Sequence, residues 1–299
     1  MPEIRVARLG QPPFWLSVIE LLKPVTWFPP MWAFACGVIA SGVVVTSRLQ
    51  FLIGGVLLAG PFLCGTSQLV NDWFDRHVDA LNQPERPIPS GRIPGRMGLH
   101  MAVGWSVLSM LLAAMLGTWV FVASALGLAL AWAYSAPPFR LKCNGWWGNA
   151  AVGLCYESLP WFTAAAAMTG SLPEPGLIAI ALLYGLGAHG IMTLNDFKSI
   201  AGDRAMGLRS LPAAMGPDRA ARLACVVMAV PQLVVVSLLL QWQQPTHALA
   251  VFGVLMGQIV LMPRLLSDPE RFAPWYNGTG IVLYVSGMMI TAFALRGRV

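Results

Sequence analysis

The chain has 299 residues, 57% of them hydrophobic and only 11% charged, with a formal net charge of +6, whereas soluble domains carry about a quarter charged residues. With a mean hydropathy of +0.65, this composition excludes a soluble globular domain and places the chain in a lipid bilayer. The apolar runs are continuous and rich in Gly, Ala and Leu instead of alternating. That excludes a β-barrel, because helices satisfy every backbone group within one segment.

The first 24 residues carry Arg5, Arg8, Lys23 and three prolines, Pro2, Pro12 and Pro13. They lack a compact apolar core and a small-residue cleavage site, so no secretory signal peptide is expected and the first apolar segment is retained. Residues 1–24 read as a cytoplasmic N-terminal segment and 25–299 as a single intramembrane domain. Within that domain about nine helical spans are predicted, at 25–46, 51–70, 98–115, 118–136, 149–168, 177–194, 222–240, 247–266 and 277–295, each near the length a bilayer requires. Of the 19 basic residues, all but Arg48, Arg296 and Arg298 lie in segments on the same side as the N-terminus. The positive-inside rule makes that side cytoplasmic and puts the C-terminus across the membrane. Cys36, Cys64, Cys143, Cys155 and Cys225 form no CxxC pair, which argues against a disulfide framework or a zinc site and makes each a small buried apolar residue.

The two longest polar loops, 71–96 and 195–221, follow spans two and six on the cytoplasmic side. The first opens NDWFDRHVD. Its Asp72, Asp75 and Asp79 are spaced i, i+3 and i+7, so on a helix they lie within about 60° of one face and their carboxylates converge on one small volume. Like charges that close require a cation among them. An oxygen-only ligand set suits a hard divalent ion, Mg²⁺ before Zn²⁺, with substrate phosphate completing the shell. The second segment opens NDFKSIAGD and repeats the Asn-Asp pair as Asn195 and Asp196, with Asp203 seven residues on and Ser199 where the first has Asp75. The echo suggests a duplicated four-helix unit whose two clusters face each other at one end of a bundle. A solvated acidic loop is the plain alternative. The same spacing arising twice, each time directly after a span and an Asn, favours a site.

Cationic residues flank both clusters. YSAPPFRLK supplies Arg140 and Lys142 after Pro137 and Pro138 break span four, and the turn-rich PIPSGRIPGR, Pro87 to Arg96, supplies Arg92 and Arg96. Such groups neutralise phosphate oxygens that a metal leaves free. Two acidic clusters, divalent metal and flanking cations are what ionisation of an allylic diphosphate requires. A long isoprenoid tail then explains the membrane. Other residues are less decisive. Glu157 in mid-span is a functional candidate by default or a hydrogen-bonded packing residue, and His189 is a ligand for a pigment's metal or a packing residue. His77 orients a phosphate or an Asp, or does neither. Trp27, Trp73, Trp146, Trp147 and Trp275 screen a carbocation or anchor at the interface.

NDxxDxxxD after the second span, a second Asp segment after the sixth and nine spans together resemble the UbiA-type intramembrane prenyltransferases over nearly the whole chain. KPVTWFPPMWAFACG, NDWFDRHVDALNQPERPIPSGRIPGR, YSAPPFRLK, YESLPW and NDFKSIAGDRAMGLRSLP are similar to the branch of that family that esterifies chlorophyll pigments. The resemblance implies an all-α UbiA-type bundle and an enzyme that transfers a geranylgeranyl or phytyl group from its diphosphate to the propionate carboxylate of bacteriochlorophyllide a. It assigns Asn71, Asp72, Asp75 and Asp79 to a first Mg²⁺ and diphosphate site, and Asp196 and Asp203 to a second. Asn195, Lys198 and Arg204, with Arg86, Arg92, Arg140 and Lys142, are then substrate-binding candidates, as are Glu157 and His189. Many relatives have Asp at the position of Ser199, so the second site is thinner in charge and Lys198 is placed to contact phosphate directly. An acceptor carboxylate is already nucleophilic at neutral pH, so no catalytic base is assigned. The implied setting is a bacterial inner or intracytoplasmic membrane, with pigment-biosynthesis or photosystem-assembly partners and no nucleic acid. The alternatives are a prenyltransferase with another acceptor, chlorophyllide or a quinone precursor, and a pigment or lipid transporter without chemistry.

Overall fold

The computed structural model describes residues 12–297. Arg5, Arg8 and Arg298 of the charge argument, and the first eleven residues of the 1–24 segment, lie outside the described residues. The described chain is helical throughout, apart from turns and one isolated bridge between Asn144 and Arg209.

A short helix α1 (Phe14–Leu22) leads through a 3₁₀ turn into α2 (Phe28–Ala40). Next comes one long rod made of α3 (Leu49–Leu57), a π-helical stretch Leu58–Cys64 and α4 (Gly65–Asn82). The pair α5 (Met97–Leu116) and α6 (Thr118–Ser135) turns back at Gly117. A second composite rod joins α7 (Gly145–Gly153), a π-helical stretch Leu154–Ser158 and α8 (Leu159–Thr169). Then follow α9 (Pro175–Asn195), the short α10 (Ile200–Ala205) and α11 (Leu211–Met215), α12 (Pro217–Gln241), α13 (Pro245–Ser267), α14 (Pro269–Asn277) and α15 (Gly280–Arg296). Helices α9, α12, α13 and α14 each begin at proline, whose fixed φ suits a first turn that needs no N–H there.

Among the described residues, seven helices are long and apolar enough to cross a membrane. The two remaining predicted spans correspond to α2, with 13 residues, and the composite rod from Gly145 to Thr169. This is a multi-pass α-helical membrane protein. The sequence reading is corrected in one respect: residues 71–82 are no loop, because α4 runs on without a break through Asn82 and carries the first acidic motif on a rigid helix. The second polar segment likewise holds a 3₁₀ turn, Asp196–Ser199, and two short helices.

Lipid supplies no hydrophobic drive between helices, so close backbone approach and polar pairs decide the packing. Helix α9 packs on α12 and α7, α2 on α8, and α13 on α15. A Cβ on Gly153 would lie 2.4 Å from the Gly185 carbonyl oxygen, and one on Gly37 would lie 2.2 Å from that of Trp161. Only glycine permits α7 to meet α9, and α2 to meet α8, so closely. Within the core, the buried amides of Gln232 and Gln258 bond each other in both directions at 3.1 and 2.9 Å, joining α12 to α13. Tyr284 donates to the Tyr184 carbonyl at 2.7 Å, and the Tyr184 hydroxyl lies 2.7 Å from that of Thr291.

Candidate active site

The end of α4, the turns after α6 and α9, and the start of α7 enclose a polar cavity of about 630 Å³. Both acidic motifs reach it. Asn71, Asp75 and Asp79 line one wall, and Asp196, Ser199 and Asp203 the other, with Arg86, Arg140 and Lys142 between them. The turn leading into α7 is pinned to the segment between α10 and α11. The Gly145 amide donates to the Arg209 carbonyl at 2.9 Å, and the Arg209 amide donates to the Cys143 carbonyl at 3.0 Å. A Cβ on Gly145 would lie 2.6 Å from the Leu211 nitrogen, so this approach requires glycine.

Each of the three carboxylates of α4 accepts from a different base. The Asp72 carboxylate accepts from Lys23 Nζ at 2.6 Å, Asp79 from Arg86 Nη1 at 2.8 Å, and Asp75 from Lys142 Nζ at 2.5 Å. Arg86 also lies 3.5 Å from Asp72, and Arg140 lies 3.9 Å from Asp75. The repulsion that would call for a metal is relieved here by lysine and arginine, and Arg86 lies against both Asp72 and Asp79. Asp72 is 3% exposed and is not part of the cavity lining.

Lys23 and Arg140 are two of the three non-glycine residues with positive φ among the described residues, at 46° and 40°. That backbone region is costly for side chains other than glycine and collects at functional sites. At both positions a strained backbone presents a cation to an α4 carboxylate.

The opposite wall is bound by neutral donors. Asn149 Nδ2 donates to Asp196 Oδ2 at 3.3 Å and to Thr193 Oγ1 at 3.2 Å. Asp203 Oδ2 accepts from Ser199 Oγ at 3.0 Å and from Ser210 Oγ at 2.5 Å. Ser199, where an acid was the expected echo of Asp75, therefore binds the neighbouring acid and adds no charge. Asp196 stands beyond the apolar stretch of α9. Burial pushes its carboxyl up to about 6, against the lowering effect of the Asn149 hydrogen bond.

The remaining candidates are placed elsewhere. Arg92 makes a two-pronged contact with Glu20 at 2.6 and 2.9 Å, fastening α1 to the connector. Asn195 accepts from Asn277 Nδ2 at 2.8 Å and so links α9 to α14. Lys198 and Arg204 are exposed and lie outside the cavity lining. His189 is buried with its ring centroid 5.5 Å from that of Trp146, and Glu157 is buried in the second π-helical stretch. The sequence reading assigned no role to Lys23, Tyr134, Asn149 or Ser210. Lys23, a base directly before an apolar span, carried a signal. Tyr134, Asn149 and Ser210 carried none, because only the fold brings them to the acids.

The cavity presents carboxylates on two walls, with Asn71, Asn149, Ser199 and Ser210 beside them, and such oxygen ligands fit a hard divalent cation. Among the described residues no three Asp, Glu, His or Cys side chains form a ready-made metal site. A cation fits here only with part of its shell supplied by a bound oxyanion. The cavity has room for one, with Arg86, Arg140 and Lys142 at its edge.

The fold and cavity define a membrane-embedded enzyme with a charged pocket at one end of a helix bundle. The model of the UbiA prenyltransferase family matches residues 26–289, and the chain belongs to that family of intramembrane prenyltransferases. The bacteriochlorophyll synthase 33 kDa chain of Rhodobacter capsulatus is 55% identical over 94% of this chain and 93% of its own length. The chloroplastic chlorophyll synthase of Arabidopsis thaliana is 38% identical over 94% of this chain and 74% of its own. A UbiA homologue from Archaeoglobus fulgidus, solved bound to DMAPP and Mg²⁺, superposes with a TM-score of 0.72 at 20% identity, over 95% of this chain and all of that one.

Proposed function

We propose that this chain is a bacteriochlorophyll synthase, transferring a geranylgeranyl or phytyl group from its diphosphate to the propionate carboxylate of bacteriochlorophyllide a. The observation that carries the reading is the adjacency of two spaces. The polar cavity bearing both Asp motifs shares Asn71 and Tyr134 with a chamber running down between α4, α6 and the second composite rod, where Leu130, Ala131 and Val152 line it. A charged head fits the first and an apolar tail the second. The identity to the synthase from Rhodobacter capsulatus selects the acceptor.

Arg86, Arg140 and Lys142 bind the diphosphate head, and Asp75, Asp79, Asp196 and Asp203, with Asp72 released from Lys23, hold Mg²⁺. When bound, Mg²⁺ supplies charge stabilisation to the departing diphosphate. Lys142 and Arg86 exchange their carboxylate partners for phosphate oxygens, so the positive charge of the cavity is already oriented before substrate arrives. The acceptor carboxylate attacks the allylic carbon as the carbon–oxygen bond to diphosphate breaks. No proton has to leave it. The cavity faces the cytoplasm of a bacterial inner or intracytoplasmic membrane, and the N-terminus lies on the same side.

The test is an assay of detergent-solubilised protein with bacteriochlorophyllide a, geranylgeranyl diphosphate and Mg²⁺. Esterified pigment with stoichiometric diphosphate release is expected. Prenylation of a different acceptor with none of this one would sink the pigment assignment.

A further inference from the structure

Two stretches of the bundle leave α-helical geometry for the wider π form, Leu58–Cys64, which contains Pro61, and Leu154–Ser158. Proline accounts for the first, since it removes an N–H from the ladder. Both stretches line the same narrow space. Leu58, Leu63 and Cys64 of the first and Cys155 and Tyr156 of the second border a throat of about 50 Å³. Segments of π-helix recur at functional sites, and here two of them share one constriction.

The throat lies between two larger spaces. The chamber of about 210 Å³ that continues from the polar cavity shares Ser67, Ala131, Cys155 and Tyr156 with it. A further chamber of about 350 Å³ shares Ala123 and Leu159 with it and is bordered by Val122, Leu126 and Leu182, which are exposed on the outer surface of the bundle. Tyr156 borders both the throat and the chamber above. Its hydroxyl accepts from Gln68 Nε2 at 3.3 Å and lies 3.6 Å from Cys64 Sγ, so the ring is tied to the α3–α4 rod.

We propose that Tyr156 is the gate of this throat and sets the length of isoprenoid chain that the protein accepts. The inference rests on the prenyl-diphosphate reading above. At the rise of a helix, Asn71 to Ser67 spans roughly 6 Å and Ser67 to Leu58 roughly 13 Å further, against roughly 20 Å for an extended C20 chain. A C10 chain, roughly half as long, stops at the mouth of the throat. A C20 chain displaces Tyr156 from Gln68 and Cys64 and runs through the throat to the lipid-facing chamber. The π-helical turns on both sides give the throat walls their width.

Cys64 borders the throat but not the chamber above it, which gives a binding test independent of turnover. In full-length protein with the other four cysteines replaced by alanine, labelling of Cys64 by an apolar maleimide is measured with saturating geranyl or geranylgeranyl thiolodiphosphate and Mg²⁺. The C20 analogue is expected to slow labelling about tenfold or more, and the C10 analogue less than about twofold. Equal protection by both, or none by a bound C20 analogue, overturns the gate.

Two variants test the throat in turnover. Gly127→Phe fills it, since a Cβ at Gly127 meets only Leu159 Cδ1, at 3.3 Å. It is expected to lower kcat/KM for the C20 diphosphate about tenfold with the C10 value held within about threefold. Tyr156→Ala is expected to raise the C20 to C10 ratio of kcat/KM about fivefold. A ratio unchanged in both variants refutes the proposal. If Gly127→Phe is inactive with both chains, the labelling assay decides. Wild-type protein that transfers no prenyl group yet shows length-dependent protection would refute the transfer reading and leave the gate standing.

Discussion

Lys23 Nζ lies 2.6 Å from Asp72 Oδ1, joining the turn after α1 to the acidic face of α4. The Asp72 side chain is 4% exposed and that of Lys23 is 23% exposed. A carboxylate so deeply buried persists as an ion only beside a cation, and Lys23 reaches it from a backbone with positive φ.

Removing that cation leaves Asp72 only the more distant Arg86, at 3.5 Å. Lys23→Met should cost about 2–4 kcal/mol of stability, somewhat below the full cost of breaking a buried pair because Lys23 is partly solvated and Arg86 remains nearby. The double variant Lys23→Met/Asp72→Asn should recover most of the loss in thermal unfolding in detergent while remaining inactive. A double variant as unstable as the single one would show that the pair is not the source.

The two acidic motifs should be separately indispensable. Asp72→Ala and Asp196→Ala are each expected to lower Mg²⁺-dependent turnover by about 10²-fold or more, the scale of losing one preorganised charge-stabilising group. Both proteins should still insert in the membrane. Near-normal turnover in either would remove that motif from the site.

Ser199 offers the converse experiment. In Ser199→Asp a second carboxylate stands beside Asp203, which Ser199 now contacts at 3.0 Å. Like charges that close destabilise one another unless a cation intervenes. The variant should melt several degrees lower in EDTA and recover in Mg²⁺, with a smaller Mg²⁺ effect on wild type. A melting point independent of Mg²⁺ would place no cation at this wall.

Glu157 Oε2 is buried with no hydrogen-bond partner, and the residue lies outside the polar cavity lining. Glu157→Gln should therefore leave kcat/KM for pigment within about twofold while moving stability by about 1–3 kcal/mol, the scale of an unsatisfied buried polar group. A large rise in the KM of the pigment would return Glu157 to acceptor binding.

Composition alone fixed the solvent of this protein, because 11% charged residues offer too little polar surface for water. The period of apolar runs located the helices, and the i, i+3, i+7 spacing put Asp72, Asp75 and Asp79 on one helical face. Spacing along a helix is a local property, so it survives whatever the rest of the chain does. Which partner each acid finds is not local. Lys23 is 49 residues from Asp72 and Lys142 is 67 from Asp75, and their contacts exist only once α4 packs against the turns after α1 and α6. The same holds for Arg92, which read as a phosphate ligand but turns to Glu20, the nearer charge in the folded chain. The throat at Tyr156 is the fullest case. Two π-helical stretches 90 residues apart leave little trace in the sequence beyond Pro61, and their facing across one cavity is decided by tertiary packing alone.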